Sequence, residues 1–210
     1  MNVPSAWRAD LKRYPPKPFF REQSIWAIAI YRFGQWNDRQ RRGALQWFFD
    51  KIYWLLFRIA ETLTGISIPK MVEVGPGLRI HHFGNIFIHS NVRIGANCTL
   101  RQGVTIGNRY DNGPVPVLED DVELGAYAQI LGGVRIGRGA KVGSMSVVLS
   151  DVPARATAVG IPARIIADEA LPPGAEQKTA ASAPSELRNA ALAPEGKETA
   201  KVRVVAAGNA

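Results

Sequence analysis

Nine aliphatic residues fall at multiples of six along this chain: Ile94, Leu100, Ile106, then Leu118, Leu124, Ile130, Ile136, Val142 and Val148. Two positions earlier stands Val92, Cys98, Val104, Val122, Ala128, Val134, Ala140 or Ser146, and five of the nine are followed by glycine (Gly95, Gly107, Gly125, Gly137, Gly143). A period of six matches neither a helix nor a plain alternating strand. It predicts a chain wound into a triangular prism, six residues to a face. The aliphatic residue points to the axis, the small residue fills the corner, and glycine allows close backbone approach. The repeats begin near Ile68 and run to about Leu149.

The pattern breaks twice. Val74, Ile80 and Ile86 are also six apart but two residues out of phase with the later set, so two extra residues enter around 81–88. That stretch reads H-H-F-G-N-I-F-I-H over 81–89 and holds all three histidines, His81, His82 and His89. The second break is G-N-R-Y-D-N-G-P-V-P-V at 107–117, where Asn112 occupies the expected aliphatic position. Its Asp111-Asn112-Gly113-Pro114 turn chemistry predicts a loop thrown out from the prism.

Before the repeats the pattern is helical. Ser24 is expected to cap a helix over Ile25–Trp36, with a break near Gly43. A second helix is expected over about 44–64, with Leu45, Phe48, Phe49, Ile52, Leu56, Ile59 and Leu63 on its packed face and Trp47, Lys51, Trp54, Arg58 and Glu61 opposite. Residues 152–166 are expected to lie back along the prism. The division is therefore 1–65 helical, 66–167 repeats, and 168–210 a disordered tail rich in Ala, Pro, Glu and Lys without periodicity.

Charge sharpens the picture of the front end. The chain of 210 residues carries a formal +8, and residues 1–65 hold eleven Lys/Arg against five Asp/Glu together with all five tryptophans. Two readings follow: contact with an anionic surface, membrane or substrate, or a helical cap with its aromatic face on the prism and its arginines solvated. No nucleic-acid motif or basic aromatic-interleaved stripe extends over the repeats, which argues against a nucleic-acid partner. No apolar leader opens the sequence, and the most apolar run, 44–60, contains Gln46, Asp50, Lys51 and Arg58. The expected location is cytoplasmic, with peripheral contact at the inner face of the membrane as one use of residues 1–65. The single cysteine, Cys98, sits at a corner position and reads as core packing.

A histidine on an irregular coil beside a protruding loop is a general-base candidate, since an ordinary imidazole titrates near neutrality. The histidines have no Cys, Asp or Glu among them at ligand spacing, so no metal is expected.

Residues 66–166 resemble the hexapeptide-repeat acyltransferases, and within them the serine acetyltransferases, especially short members of polysaccharide biosynthesis. The resemblance rests on V-G-P-G-L-R-I-H-H-F-G (74–84), V-R-I-G-A-N-C-T-L-R-Q-G-V-T-I-G (92–107), V-E-L-G-A-Y-A-Q-I-L-G-G-V-R-I-G-R-G-A-K-V-G-S-M-S-V-V (122–148) and V-G-I-P-A-R-I-I (159–166). It implies a left-handed parallel β-helix, a homotrimer with sites between neighbouring prisms, and acetyl-CoA lying along the coils. It places the catalytic histidine on His82 and CoA contacts on Ala126, Ser144 and Arg164. The transfer chemistry itself needs an oxyanion donor, and a backbone N–H of the 125–127 corner or of the neighbouring subunit is the candidate. Arg109, Asp111 and Asn112 on the loop are the acceptor-binding candidates.

Several positions depart from the serine acetyltransferase pattern. The aspartate that pairs with the catalytic histidine matches Ser67, the acidic residue before it matches His81, and the substrate-holding Arg-His pair of the loop matches Pro114 and Val115. Losing carboxylate-recognising groups argues for another acceptor. The leading expectation is an acetyl-CoA-dependent O-acetyltransferase acting on a sugar hydroxyl, free, nucleotide-bound or lipid-linked, in surface-glycan synthesis. The alternatives are an L-serine O-acetyltransferase, a γ-carbonic-anhydrase-like metalloenzyme, and a non-catalytic β-helix scaffold.

Overall fold

From Ile66 onward the chain passes in rotation through three parallel sheets, the faces of a prism. The computed structural model describes residues 3–40 and 43–166; the tail expected at 168–210 lies outside the described residues. The first face stacks Ile66–Ser67, Ile86–Ile88, Thr105–Gly107, Gln129–Leu131 and Val147–Val148. The second stacks Glu73–Val74, Arg93–Ile94, Val117–Leu118 and Arg135–Ile136. The third stacks Arg79–His81, Thr99–Arg101, Glu123–Leu124, Lys141–Val142 and Thr157–Gly160, with Ala163–Ile166 added antiparallel.

All nine of the six-spaced aliphatic residues are buried, none more than 3% exposed. Their small partners at the corners are buried as well. The register measures the two faults. Lys141 stands opposite Glu123, the regular eighteen residues on. Ile80 stands opposite Leu100, so that coil has twenty, and Thr99 opposite Glu123, so the coil with the loop has twenty-four. The two extra residues enter between the third and first faces. The six extra residues enter between the first and second.

The segment 152–166 does not run back along the prism. Val152 bridges to Ile136 and Thr157–Gly160 pairs parallel to Lys141–Val142, so the coil continues to Gly160. Val152, Ala156 and Ala158 keep the buried-residue pattern going, and only Ala163–Ile166 reverses direction.

The helices α1 (Val3–Lys12), α2 (Pro18–Arg21), α3 (Ser24–Asp38) and α4 (Ala44–Thr64) close the open edge of the first coil. A strand edge leaves backbone donors and acceptors unpaired, and here polar side chains fill them. The Tyr31 hydroxyl donates to Val72 O (2.7 Å) and accepts from Val74 N (3.2 Å). Tyr14 accepts from Ile80 N, and Ser24 donates to Ile80 O at 2.9 Å. At the next corner Asp10 accepts from Gly77 N and Leu78 N, both at 2.8 Å, while Arg32, paired with Asp10 at 2.8 Å, donates to Val74 O and Gly75 O. Arg13 donates to Gly77 O, Asn97 O and Cys98 O.

These contacts correct three expectations. Ser24 lies inside α3 and makes no N-cap bond; its hydroxyl serves the prism instead. The arginines of the cap do not all form a solvated face, because Arg13 and Arg32 point at the first coil, whereas Trp26, Trp36, Trp47 and Trp54 reach the surface. On α4 the buried stripe is Tyr53, Phe57, Ala60 and Thr64, and the aliphatic stripe expected to pack is largely exposed. Two features select that face. The Tyr53 hydroxyl accepts from Lys70 N at 2.9 Å, and Gly34 of α3 gives the Tyr53 ring room, since a Cβ there would lie 2.5 Å from the ring.

Candidate functional site

His82 owes its position to the two extra residues. Between Ile80 and Ile88 the chain bulges from the edge joining the third and first faces, with left-handed backbone at His82 (φ 67°), Gly84 (φ 109°) and Asn85 (φ 54°). His82 and Phe83 are exposed, and His81 is partly buried. A depression of about 300 Å³ beside them is lined by Arg21, Glu22, Ser24, Arg79, His81 and His82. Its wall therefore comes partly from the α2–α3 junction, which the sequence reading missed. No local signal reveals this, because the Arg79–Glu22 ion pair (2.7 Å) joins residues 57 apart. Burial, then the positive charges of Arg79 and Arg101, hold the His81 imidazole below its ordinary pKa. Among the described residues, none hydrogen-bonds the His82 ring.

Below the bulge the same edge forms a ladder. Gly103 N donates to Gly84 O, Tyr127 N to Gln102 O, and Met145 N to Ala126 O, at 2.8–2.9 Å. Ala126 and Ser144 thus share one edge with His82, spread over three strand spacings of roughly 14 Å. Gly125 keeps the ladder tight, since a Cβ there would lie 2.5 Å from Ser144 N. Tyr127 and Met145 both sit at φ 60° on this edge, a conformation costly for bulky side chains that concentrates at functional positions. On the second–third edge four of the five equivalent positions are Gly77, Asn97, Asp121 and Gly139, which tolerate it. A shallow depression of about 230 Å³ next to the ladder is lined by Arg101, Lys141, Ser144 and Thr157. Arg164 is exposed opposite Val159, at the far end of the third face. The 125–127 corner, expected to supply an oxyanion donor, lies two strand spacings from the His82 coil, roughly 10 Å. That exceeds the span of one hydrogen-bonded reaction centre.

The acceptor candidates lie elsewhere. Arg109, Asp111 and Asn112 are exposed on the loop at the first–second edge. Gly113 N closes the turn on Tyr110 O (2.9 Å), and the Arg109 guanidinium stands 5.3 Å from the Tyr110 ring centre. The loop covers a depression of about 410 Å³ with Leu131, Gly133 and Leu149, sharing no lining residue with the one at His82. One chain therefore does not bring His82 and the loop together; the whole first face separates them. The histidines are divided too, with His89 on the loop side, where its Nδ1 accepts from Asn91 N. Among the described residues no three of His, Cys, Asp and Glu converge. Cys98 is fully buried, and burial pushes its thiol up to about 11, as suits a core residue.

Comparison with known proteins agrees with this geometry. The family described as bacterial transferase hexapeptide (six repeats) matches residues 116–150, and the hexapeptide repeat of succinyl-transferase matches 86–109. A serine acetyltransferase of Synechococcus elongatus is 34% identical over 142 residues, covering 67% of this chain and 55% of that protein. The soybean serine acetyltransferase apoenzyme structure superposes with a TM-score of 0.68 at 30% identity, covering 78% of this chain and 69% of that one. A serine acetyltransferase complex with CoA superposes at 0.66 with 25% identity, covering 78% and 69%. The chain spans about half the length of the curated relatives it matches. With its three-faced prism, its glycine-punctuated edges and these likenesses, the chain belongs to the hexapeptide-repeat acyltransferases and is a homologue of the serine acetyltransferases.

Proposed function

We propose that the chain is an acetyl-CoA-dependent O-acetyltransferase with His82 as general base. The observation that carries this reading is the exposed His82 bulge at the head of the edge that also holds Ala126 and Ser144. His82 takes the proton of an acceptor hydroxyl as its oxygen attacks the thioester carbonyl. Collapse of the tetrahedral adduct breaks the C–S bond, and the proton passes from His82 to the CoA sulfur. The thioester arm lies along the ladder past Ala126 and Ser144, with Arg101, Lys141 and Arg164 offering positive charge to its phosphates.

A homotrimer completes the site. On the first face the outward strand residues Ser67, Phe87, Thr105, Gln129 and Val147 carry no charge. The second face shows Glu73, Arg93 and Arg135, and the third Arg101, Glu123 and Lys141. The uncharged face is the one suited to burial against a copy. Its two borders are the His82 edge and the loop edge, so threefold packing brings His82 of one subunit toward Arg109, Asp111 and Asn112 of the next.

For the acceptor, L-serine has the greater support, since the relatives are named serine acetyltransferases and a gonococcal one is described in complex with serine. A sugar hydroxyl is the second reading, favoured by Ser67, Pro114 and Val115 at the positions where that family's pattern has polar and charged groups. Acetyl transfer from acetyl-CoA to L-serine and to a panel of UDP-sugars and lipid-linked glycans separates them. The His82→Ala variant should lose about 10²–10⁴-fold in rate with the preferred acceptor. Retention of most activity removes His82 as the base, and faster transfer to any sugar than to L-serine reverses the order of acceptors.

A further inference from the structure

The exposed stripe of α4 is the largest feature that neither the fold nor the proposed reaction uses. Leu45, Phe48, Leu55, Leu56, Ile59 and Leu63 are 37–68% exposed and lie within one arc of the helix, roughly 120° wide, that contains no charged residue. Such an arc is larger than the scattered apolar residues a soluble surface ordinarily shows. Lys51 borders it, its ammonium 5.5 Å from the ring centre of Trp47, which is 65% exposed. Among the described residues no helix is long and apolar enough to cross a membrane.

Charge identifies what covers this arc. Each of the five acidic residues in 1–65 is held in an ion pair: Asp10 with Arg32, Glu22 with Arg79, Asp38 and Asp50 with Lys70, and Glu61 with Arg58. Lys70 and Arg79 come from the prism, and Arg32 and Arg58 are the partners that helices α3 and α4 supply themselves. Within 1–65, a second copy docked arc to arc would offer Lys51 no acid that is not already in an ion pair. An anionic bilayer supplies that charge, takes the aliphatic arc into its acyl boundary, and holds tryptophan at headgroup depth. We propose that α4 is an interfacial helix that lays its Leu45–Leu63 stripe on an anionic phospholipid surface.

Flotation of the full chain with vesicles of phosphatidylcholine, with or without phosphatidylglycerol, tests this. The chain should float with the phosphatidylglycerol vesicles, less so at high salt, and stay behind with phosphatidylcholine alone. Leu55→Glu/Ile59→Glu should lower the bound fraction roughly tenfold or more with circular dichroism and oligomer mass unchanged. Lys51→Gln, a milder surface change, should lower affinity about fivefold. Absence of flotation at low salt, or flotation unaffected by Leu55→Glu/Ile59→Glu, overturns the proposal. A fall in oligomer mass on that double substitution assigns the face to a second copy and overturns it as well.

Discussion

The prism and the helical cap bury side chains by different rules. In the prism, position alone decides: each coil repeats the environment of the one above, so along the regular coils from Leu118 to Val148 a residue six places from a buried aliphatic is itself buried. In the cap, an apolar stripe does not mark the packed face. Helix α4 carries two, and the aromatic one bearing Tyr53 packs because its hydroxyl satisfies Lys70 N and its ring fits against Gly34. Apolar periodicity is a sufficient guide only where the partner surface repeats as well. Where the partner is the ragged end of a solenoid, unpaired backbone groups choose the contact.

The sharpest way to break this contrast is to remove a polar group of the cap. Asp10→Ala would leave Arg32, 4% exposed, as a buried cation without its carboxylate, and would strip Gly77 N and Leu78 N of their acceptor. A loss of about 3–5 kcal/mol in urea unfolding is expected. A smaller effect would mean that apolar packing holds the cap after all. Ile106→Ala, which opens a cavity in the prism column, should cost about 2–5 kcal/mol. The parallel change Leu55→Ala, on a residue 62% exposed, should stay within about 0.5 kcal/mol. Equal costs for these two leucine-sized truncations would erase the difference between the regions.

The smallest effect concerns His81, where cap and prism meet. Its folded-state pKa is lowered, first by burial and then by Arg79 and Arg101, so folding disfavours its protonated form. Its contribution to stability is therefore present above the ordinary imidazole pKa of about 6.5 and is lost as pH falls through the lowered value. His81→Gln should flatten this part of the stability–pH curve. An unchanged curve would mean that His81 is not the group responsible.

Much of the candidate site was legible in the pattern, because its residues were placed where the repeat fails. The two-residue slip at His82 and the six-residue excess at 107–117 appear in the register as coils of twenty and twenty-four residues. Their relation in space was not visible. A period of six marks a fault along the chain without saying which of three edges it occupies until the faces are assigned. His82 and Arg109 proved to lie on opposite borders of the first face. The left-handed Tyr127 and Met145 were hidden as well, because nothing in those residue types announces such a backbone.

The sequence by itself determined the prism, its coil lengths and the inward column, since a fixed period repeated over many turns leaves one way to bury the aliphatic residues. Only the tertiary structure decided which face of α4 packs, that Arg13 and Arg32 turn toward the first coil, and that Glu22 walls the His82 depression. Those outcomes depend on pairings across 17 to 86 residues, between polar side chains of the helices and groups of the prism. No local pattern encodes them, because the groups they satisfy are left unpaired only once the prism has formed.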